Sequence, residues 1–434
     1  MYPNLHYALR DIFGIEAPGF RFVNTFGFFV ALAFLVAAYI LNKELQRKES
    51  AGLLQGEDVQ ITVGKPASFT DLFLNFLLGF ILGFKIIGLF LLRNEIDTDP
   101  QSFIFSSQGH LPAGLIVGAF FALLKWWEKN KQKLPTPETR NIRIWPHDRV
   151  GDMVIYAAVA GFLGAKIFHN LENWKDFQAN PMEALLSFSG LTFYGGLICG
   201  TAAIIYYARK HKISVRHLAD AIAPALLMAY AVGRIGCQVA GDGDWGILNS
   251  AYITSPASKA VRADTAAFRQ VLQSNSTYYL RNHEIASVEE VEHTSVVAPR
   301  WLPTWMVAYP YPHNVINQGV PIPQCSGTYC DHLPVPVFPT PFYETVVCLI
   351  LFGLLWALRK RLPVAGTVFA VYLIMNGIER FLVEKIRVNS RYDIFGFHPT
   401  QAEIISTLLI LTGIGLYLFL VQRARGREVI LHKR

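Results

Sequence analysis

Arg234, Arg380, Glu384 and Arg387 fall inside or at the rims of hydrophobic runs, where a plain membrane anchor would carry leucine. Charge at membrane depth is costly, so such residues mark sites by default. Guanidinium groups bind phosphate in bidentate fashion, and the chemistry these arginines suit is the holding of a lipid phosphate. Asn376, Arg380, Glu384 and Arg387 stand at i, i+4, i+8 and i+11, which places them within about a quarter of a helix circumference. The same spacing lets Arg380 pair with Glu384, and Glu384 with Arg387. One acid between two arginines leaves a net positive face beside Arg234. A self-satisfied ion-pair network that only fixes helix packing is the competing reading.

Other polar residues gather at the same level. Tyr194 lies near the outer start of a fifth hydrophobic segment, and Arg234 near the outer end of the sixth. Asp242 and Asp244 follow immediately outside. Tyr343 and Glu344 open the seventh segment, and His398 and Gln401 the ninth. Segments that alternate in direction thus bring their unusual residues to one leaflet. The glycines at 195, 196, 200, 233, 236, 241 and 243 suit close helix contact as well as approach to a lipid backbone. Asp220, at the inner end of its segment, is expected to cap its helix. Lys166, His110 and His169 read as interfacial residues.

Elements of a definite kind must position these groups. The chain has 434 residues, 52% hydrophobic and 16% charged. That composition excludes an ordinary soluble enzyme and points to an all-α polytopic membrane protein. Nine apolar runs are long enough, or nearly so, to cross a bilayer: roughly 21–42, 70–92, 111–127, 150–168, 190–208, 217–240, 340–359, 364–386 and 400–422. Basic clusters follow alternate runs (Lys43–Lys48, Lys125–Lys133 with Arg140–Arg149, Arg209–Lys212, Arg359–Arg361 and Arg423–Arg434). This positive-inside pattern predicts an outside N-terminus and a cytoplasmic C-terminus. It accounts for the net charge of +7 without nucleic acid. The first 20 residues lack the pattern of a cleavable leader.

The chain divides into a first span at 1–48, a segment 49–148 carrying two spans, a membrane core at 149–240, an outer head at 241–339, a second core portion at 340–425, and a basic tail at 426–434. The head, rich in Pro, Tyr, Val and Thr, is expected to be small and irregular, built of short β-like runs. Its Cys325 and Cys330 suit a disulfide in an oxidising compartment, and no second ligand pair stands at metal spacing, so no metal site is expected. The chain shows no internal repeat of the kind that marks inverted-repeat transporters.

Several stretches, in order, resemble the prolipoprotein diacylglyceryl transferases. They are Asp11–Ile15 leading to Phe26 and Gly27, Gly190–Gly196, Asp220–Pro224, Gly233–Gly236, Gly241–Gly246, Phe338–Glu344, and Glu379–Arg387, with Gln401 in the last helix. Departures accompany them. The family's histidine in its Phe-His-Gly-Gly motif is Tyr194 here, the tyrosine before Gly27 is Phe26, and the asparagine after Arg-Leu-Gly is Cys237.

The resemblance implies a seven-helix transferase-like core with 49–148 as an inserted helix pair, in a bacterial inner membrane with the active site towards the outer leaflet. It implies transfer of a diacylglyceryl group from phosphatidylglycerol to the lipobox cysteine in the signal peptide of a preprolipoprotein, by a monomer, without a cofactor. Arg234 and Arg380 are then expected to stabilise the leaving phosphate, with Tyr194, Glu384 and Asp242 handling the thiol proton. A phenol titrates near 10, so Tyr194 is a poor base unless arginines lower it. Arg387, Gly195, Gly196, Tyr343, Glu344, Asn376 and Gln401 are expected to bind substrate. A catalytically altered paralogue that binds lipid or lipoprotein is the alternative, favoured by Tyr194; a transporter with an anion site is the third.

Overall fold

The computed structural model describes residues 1–92, 103, 106–186, 192–283, 285, 287–388, 392–393 and 396–432. A short helix α1 (Leu5–Phe13) precedes the long α2 (Thr25–Ser50). Strand β1 (Glu57–Val63) leads to α3 (Phe69–Ile81), which runs on through a π-helical turn at Leu82–Ile87 to Leu91. Then come α4 (Leu111–Lys131), β2 (Glu138–Ile144), α5 (Val150–Glu172), α6 (Phe193–Lys210) and α7 (Val215–Ala240). The head carries α8 (Thr265–Ser274) and α9 (Ser276–His283). Helices α10 (Thr340–Leu358), α11 (Thr367–Glu384) and α12 (Gln401–His432) complete the chain.

Each expected apolar run therefore carries a helix among the described residues. Among the described residues, seven helices are long and apolar enough to cross a membrane: α2, α3 with its continuation, α4, α5, α7, α10 and α12. The other two expected spans, α6 and α11, have 18 residues each. Glu379, Arg380 and Glu384 interrupt the apolar run of α11. Among the described residues the strands form only two-stranded pairs, and with the apolar helices the protein is an all-α polytopic membrane protein.

The chain forms two compact units, Leu45–Val215 and Met1–Glu44 with Arg216–Arg434. In the Leu45–Val215 unit, a capping box between Ser68 and Asp71 starts α3. The rings of Phe76, Phe80 and Phe84 stack along it at 6.1 and 5.5 Å. Helices α5 and α6 approach at Gly164 and Gly195, where a Cβ on either glycine would lie 2.5 Å from the other's carbonyl oxygen. The polar segments flanking α3 and α4 pair with each other. β1 and β2 run antiparallel, with Glu57 opposite Ile144 and Val63 opposite Glu138. Alternating β-branched residues in β1 supply the strand propensity.

In the other unit, Ala223 and Leu227 of α7 pack against Leu355 of α10 and Val368 of α11. Asp220 does cap a helix, but not its own. Its carboxylate accepts the backbone N–H groups of Gly366 at 2.8 Å and Phe369 at 3.0 Å, at the start of α11. A carboxylate there also meets the positive end of the helix dipole. The head has a core of Leu248, Phe268, Leu272, Tyr279, Val291, Tyr311, Leu333, Val335 and Val337. Its two helices depart from the expected β-like runs: Asp264 caps α8, and Phe268 and Leu272, one turn apart, are its buried face. Cys325 and Cys330 form a disulfide.

Candidate functional site

Backbone pairing between distant segments assembles the site. After α7, Gly241 and Gly243 adopt φ of +67° and +98°, a region glycine enters without steric cost. The chain then runs beside the end of α11. Ile247 donates to the carbonyl of Ile386 at 2.9 Å, and Gly246 to that of Phe338 at 2.9 Å. A Cβ on Gly246 would lie 2.5 Å from the Ile386 oxygen, so only glycine fits. Thr340, in the first turn of α10, donates its hydroxyl to the Asp244 carbonyl at 2.7 Å. Three segments are thus tied together, and their charged side chains converge.

Arg234 of α7 pairs with both Asp244 and Glu344. Arg387 pairs with the same two acids, at 2.8 Å to Asp244 and 3.2 Å to Glu344. The four side chains close into a square in which each acid bridges two guanidinium groups. Glu344 is fully buried. It also accepts the Tyr230 hydroxyl at 2.7 Å, and the Tyr230 ring underlies Arg234 at 5.1 Å. Burial opposes ionisation of Asp244, but Arg387 and Arg234 outweigh it and hold the carboxyl below its ordinary range. Asp242, whose oxygen accepts the Asp244 N–H at 3.4 Å, shows the opposite balance: burial, aided by Asp244, pushes it up.

Arg380 lies on α11, where its Nη2 pairs with Glu384 at 2.9 Å, as helical spacing predicts. Its Nη1 is buried with no hydrogen-bond partner among the described residues. The pairing expected between Glu384 and Arg387 gives way to a different arrangement. Helix α11 ends at Glu384, so Arg387 leaves the helical face and takes its ion pairs from Asp244 and Glu344.

Other expected site residues have varied placements. Tyr343 donates its hydroxyl to the Met306 carbonyl in the head. Asn376 is half-buried on α11, and Gln401 is exposed at the start of α12. Tyr194, Gly195 and Gly196 belong to the Leu45–Val215 unit, in the first turn of α6. Tyr194 meets Phe193 edge-on at 5.6 Å. Gly195 is buried against Gly164 and Phe168, and Gly196 faces Gly161, which favours helix contact for both. Gly190 lies outside the described residues.

Sequence reasoning passed over Tyr230 and Glu379. Tyr230 stands one turn before Arg234, a spacing that could have flagged it. Glu379 adjoins Arg380 and is 3% exposed, with neither carboxylate oxygen hydrogen-bonded among the described residues. A cavity of about 200 Å³ beside Arg387 is lined by Gly243, Trp245, Tyr278, Tyr279 and Glu292. Cys237, Asp242 and Asp244 bring donor atoms within 4.8 Å of one another. Both oxygens of Asp244 are already engaged by arginines, so the trio belongs to the charge network.

Chemically, the cluster joins ion-paired guanidinium groups to an Arg380 nitrogen and a Glu379 carboxyl that have no hydrogen-bond partner among the described residues. It can hold an oxyanion with Arg380 and receive or supply a proton. Residues 113–419 match the family described as Prolipoprotein diacylglyceryl transferase. The match takes in α4, within the segment read as inserted. Three curated proteins, each named phosphatidylglycerol–prolipoprotein diacylglyceryl transferase, are similar to this chain. That of Corynebacterium diphtheriae is 27% identical over 321 residues, 73% of this chain and 88% of the relative. That of Staphylococcus carnosus is 26% identical over 274 residues, 63% and 75% of the two chains. That of Dehalococcoides mccartyi strain 195 is 24% identical over 331 residues, 75% and 95%.

Proposed function

The chain belongs to the prolipoprotein diacylglyceryl transferase family, and we propose from that premise that it transfers a diacylglyceryl group from phosphatidylglycerol to the lipobox cysteine of preprolipoproteins. It is a transferase of the first step of lipoprotein maturation. The cysteine thiol loses its proton, and its sulfur attacks the glyceryl carbon that carries the phosphate. The carbon–oxygen bond breaks, leaving a thioether on the protein and a free glycerol phosphate.

The observation that carries the assignment of residues is the buried Nη1 of Arg380, which has no hydrogen-bond partner among the described residues. A buried donor without an acceptor is costly, and a phosphate oxygen would satisfy it. Arg380 then neutralises charge developing on the leaving phosphate. Arg234 and Arg387, locked by Asp244 and Glu344, hold the surrounding frame and add positive potential. The protein acts as a monomer in a bacterial inner membrane, its N-terminus outside, its C-terminus cytoplasmic, and the arginine cluster towards the outer leaflet. Tyr194 donates a hydrogen bond to a lipid oxygen. The positive-inside charge pattern supports that orientation.

Complementation tests this reading. The resident transferase of a bacterium is depleted, this chain is expressed, and the mass of a reporter lipoprotein is followed. A diacylglyceryl adduct that disappears with Arg380→Ala supports transfer by these residues. Well-inserted protein that gives no adduct would instead indicate a lipid- or lipoprotein-binding paralogue, the reading that Tyr194 in place of the family histidine favours.

A further inference from the structure

Transfer requires a place for the thiol proton, and most acids of the cluster are occupied. Asp244 and Glu344 each bridge two arginines, and Glu384 holds Arg380. Asp242 accepts the Asp244 N–H. Glu379 differs from all of them. It is 3% exposed, and neither of its oxygens has a hydrogen-bond partner among the described residues. Polar groups buried in this way are rare and call for an explanation.

Among the described residues, nothing bonds the carboxyl into the packing. Glu379 follows Tyr372 and Met375 along the face of α11 that packs towards α7 and α10. It interacts electrostatically with Glu344 and Cys348 of α10, with Tyr230 and Arg234 of α7, and with Arg380 and Arg387. An acid placed there only for packing would be better replaced by an apolar residue of its size. Its lone pairs are left uncommitted among the described residues. Such a group is a proton acceptor set beside the phosphate-holding Arg380.

We propose that Glu379 is the general base that receives the proton of the substrate thiol. This deepens the transferase reading above and rests on it. The S–H bond breaks and its proton passes to a Glu379 oxygen. The sulfur forms its bond to the glyceryl carbon, and the C–O electron pair leaves with glycerol phosphate beside Arg380. The proton then returns to water or to the departing phosphate. A tyrosine at 194, a weak base by itself, ceases to be a difficulty.

The test uses the full chain in nanodiscs containing phosphatidylglycerol, with a synthetic lipobox peptide and glycerol phosphate release as the readout. Glu379→Gln keeps size and shape and removes only basicity. The rate at saturating peptide should fall about 10²-fold or more, with the half-saturating peptide concentration little changed. A peptide carrying selenocysteine at the modified position supplies a nucleophile that ionises without a base. On that peptide Glu379→Gln should approach the wild-type rate, which a merely structural defect would not permit. A Glu379→Gln rate within about threefold of wild type on the cysteine peptide overturns the proposal, as does an equal loss on both peptides. Should Glu379→Gln fail to insert, Glu379→Asp is read through the same pair of peptides. Wild-type protein that modifies neither peptide overturns the transferase reading itself.

Discussion

Two arginine sites lie in one unit of the molecule, and they are built on opposite terms. Arg234 and Arg387 are each ion-paired to two acids, and each acid is shared, which leaves them paired and held. Arg380 and its neighbour Glu379 differ. One nitrogen of the first and both oxygens of the second are buried without hydrogen-bond partners among the described residues. The ion-paired square sits where three segments are stitched by backbone bonds, whereas Arg380 and Glu379 stand on the regular helix α11. A closed ion-pair network spends its charge on structure. Groups left unsatisfied keep their charge for a ligand.

The sharpest way to break this comparison is to open the square. Glu344→Ala leaves two guanidinium groups short of a buried partner, and such losses cost about 3–5 kcal/mol. The variant should lose most of its folded protein, seen as a collapse of the detergent melting temperature and of membrane yield. If it melts like wild type and loses only activity, the square is catalytic and not structural.

Arg380→Ala should weigh more on activity than on folding. Transfer should fall by about 10²–10³-fold, the usual cost of deleting one donor to a developing anion, while the melting temperature, lowered by the loss of the Glu384 pair, should fall less than in Glu344→Ala. Arg380→Lys keeps the charge but not the planar fork, and should recover only part of the rate.

The two aspartates that follow α7 give a smaller, pH-dependent contrast. The Asp244 carboxyl is depressed by its arginines, so its stabilising contribution is complete above the ordinary carboxylate range and is lost as pH falls through the lowered value. Asp242 is raised, so its contribution is complete below the ordinary value and is lost as pH rises through the raised one. Asp244→Asn should therefore lower the melting temperature at neutral pH and matter less in acid. Asp242→Asn should leave it level or raise it. Melting curves from pH 4 to 8 separate the two.

The smallest effect belongs to the head. Cys325 and Cys330 close a short loop, and such a crosslink is worth about 2 kcal/mol at most. Cys325→Ser with Cys330→Ser should soften the loop to proteolysis and leave glycerol phosphate release at the wild-type rate. A large loss of activity would tie the head to the ion-paired square more tightly than its contacts suggest.

The helices were legible because length and hydropathy suffice to mark them: each of the nine expected runs carries a helix among the described residues, seven of them long and apolar enough to cross a membrane. Arg380 with Glu384 was equally legible, being a matter of one helical turn. Arg387 was misplaced because the helix stops three residues before it, and end points are where periodicity is least informative. The part played by Asp244 depends on Gly246 and Ile247 meeting Phe338 and Ile386, a pairing across some 140 residues of chain that no local pattern announces. Glu379 was in plain view as a letter. What sets it apart is the hydrogen bonds it does not make, and those exist only in three dimensions.

Asp220 has a mechanical consequence. By gripping the first turn of α11 with both oxygens, it pins the starts of α7 and α11 together like the rivet of a pair of tongs. Arg234 stands fourteen residues along α7 from that rivet, about 21 Å at helical rise. At that lever arm, a tilt of about 5° between the two helices displaces Arg234 by about 2 Å. An ion pair near 3 Å does not survive such a displacement. The jaws of the tongs thus lie at the level of the arginines, and a movement too slight to disturb the rivet is enough to part them.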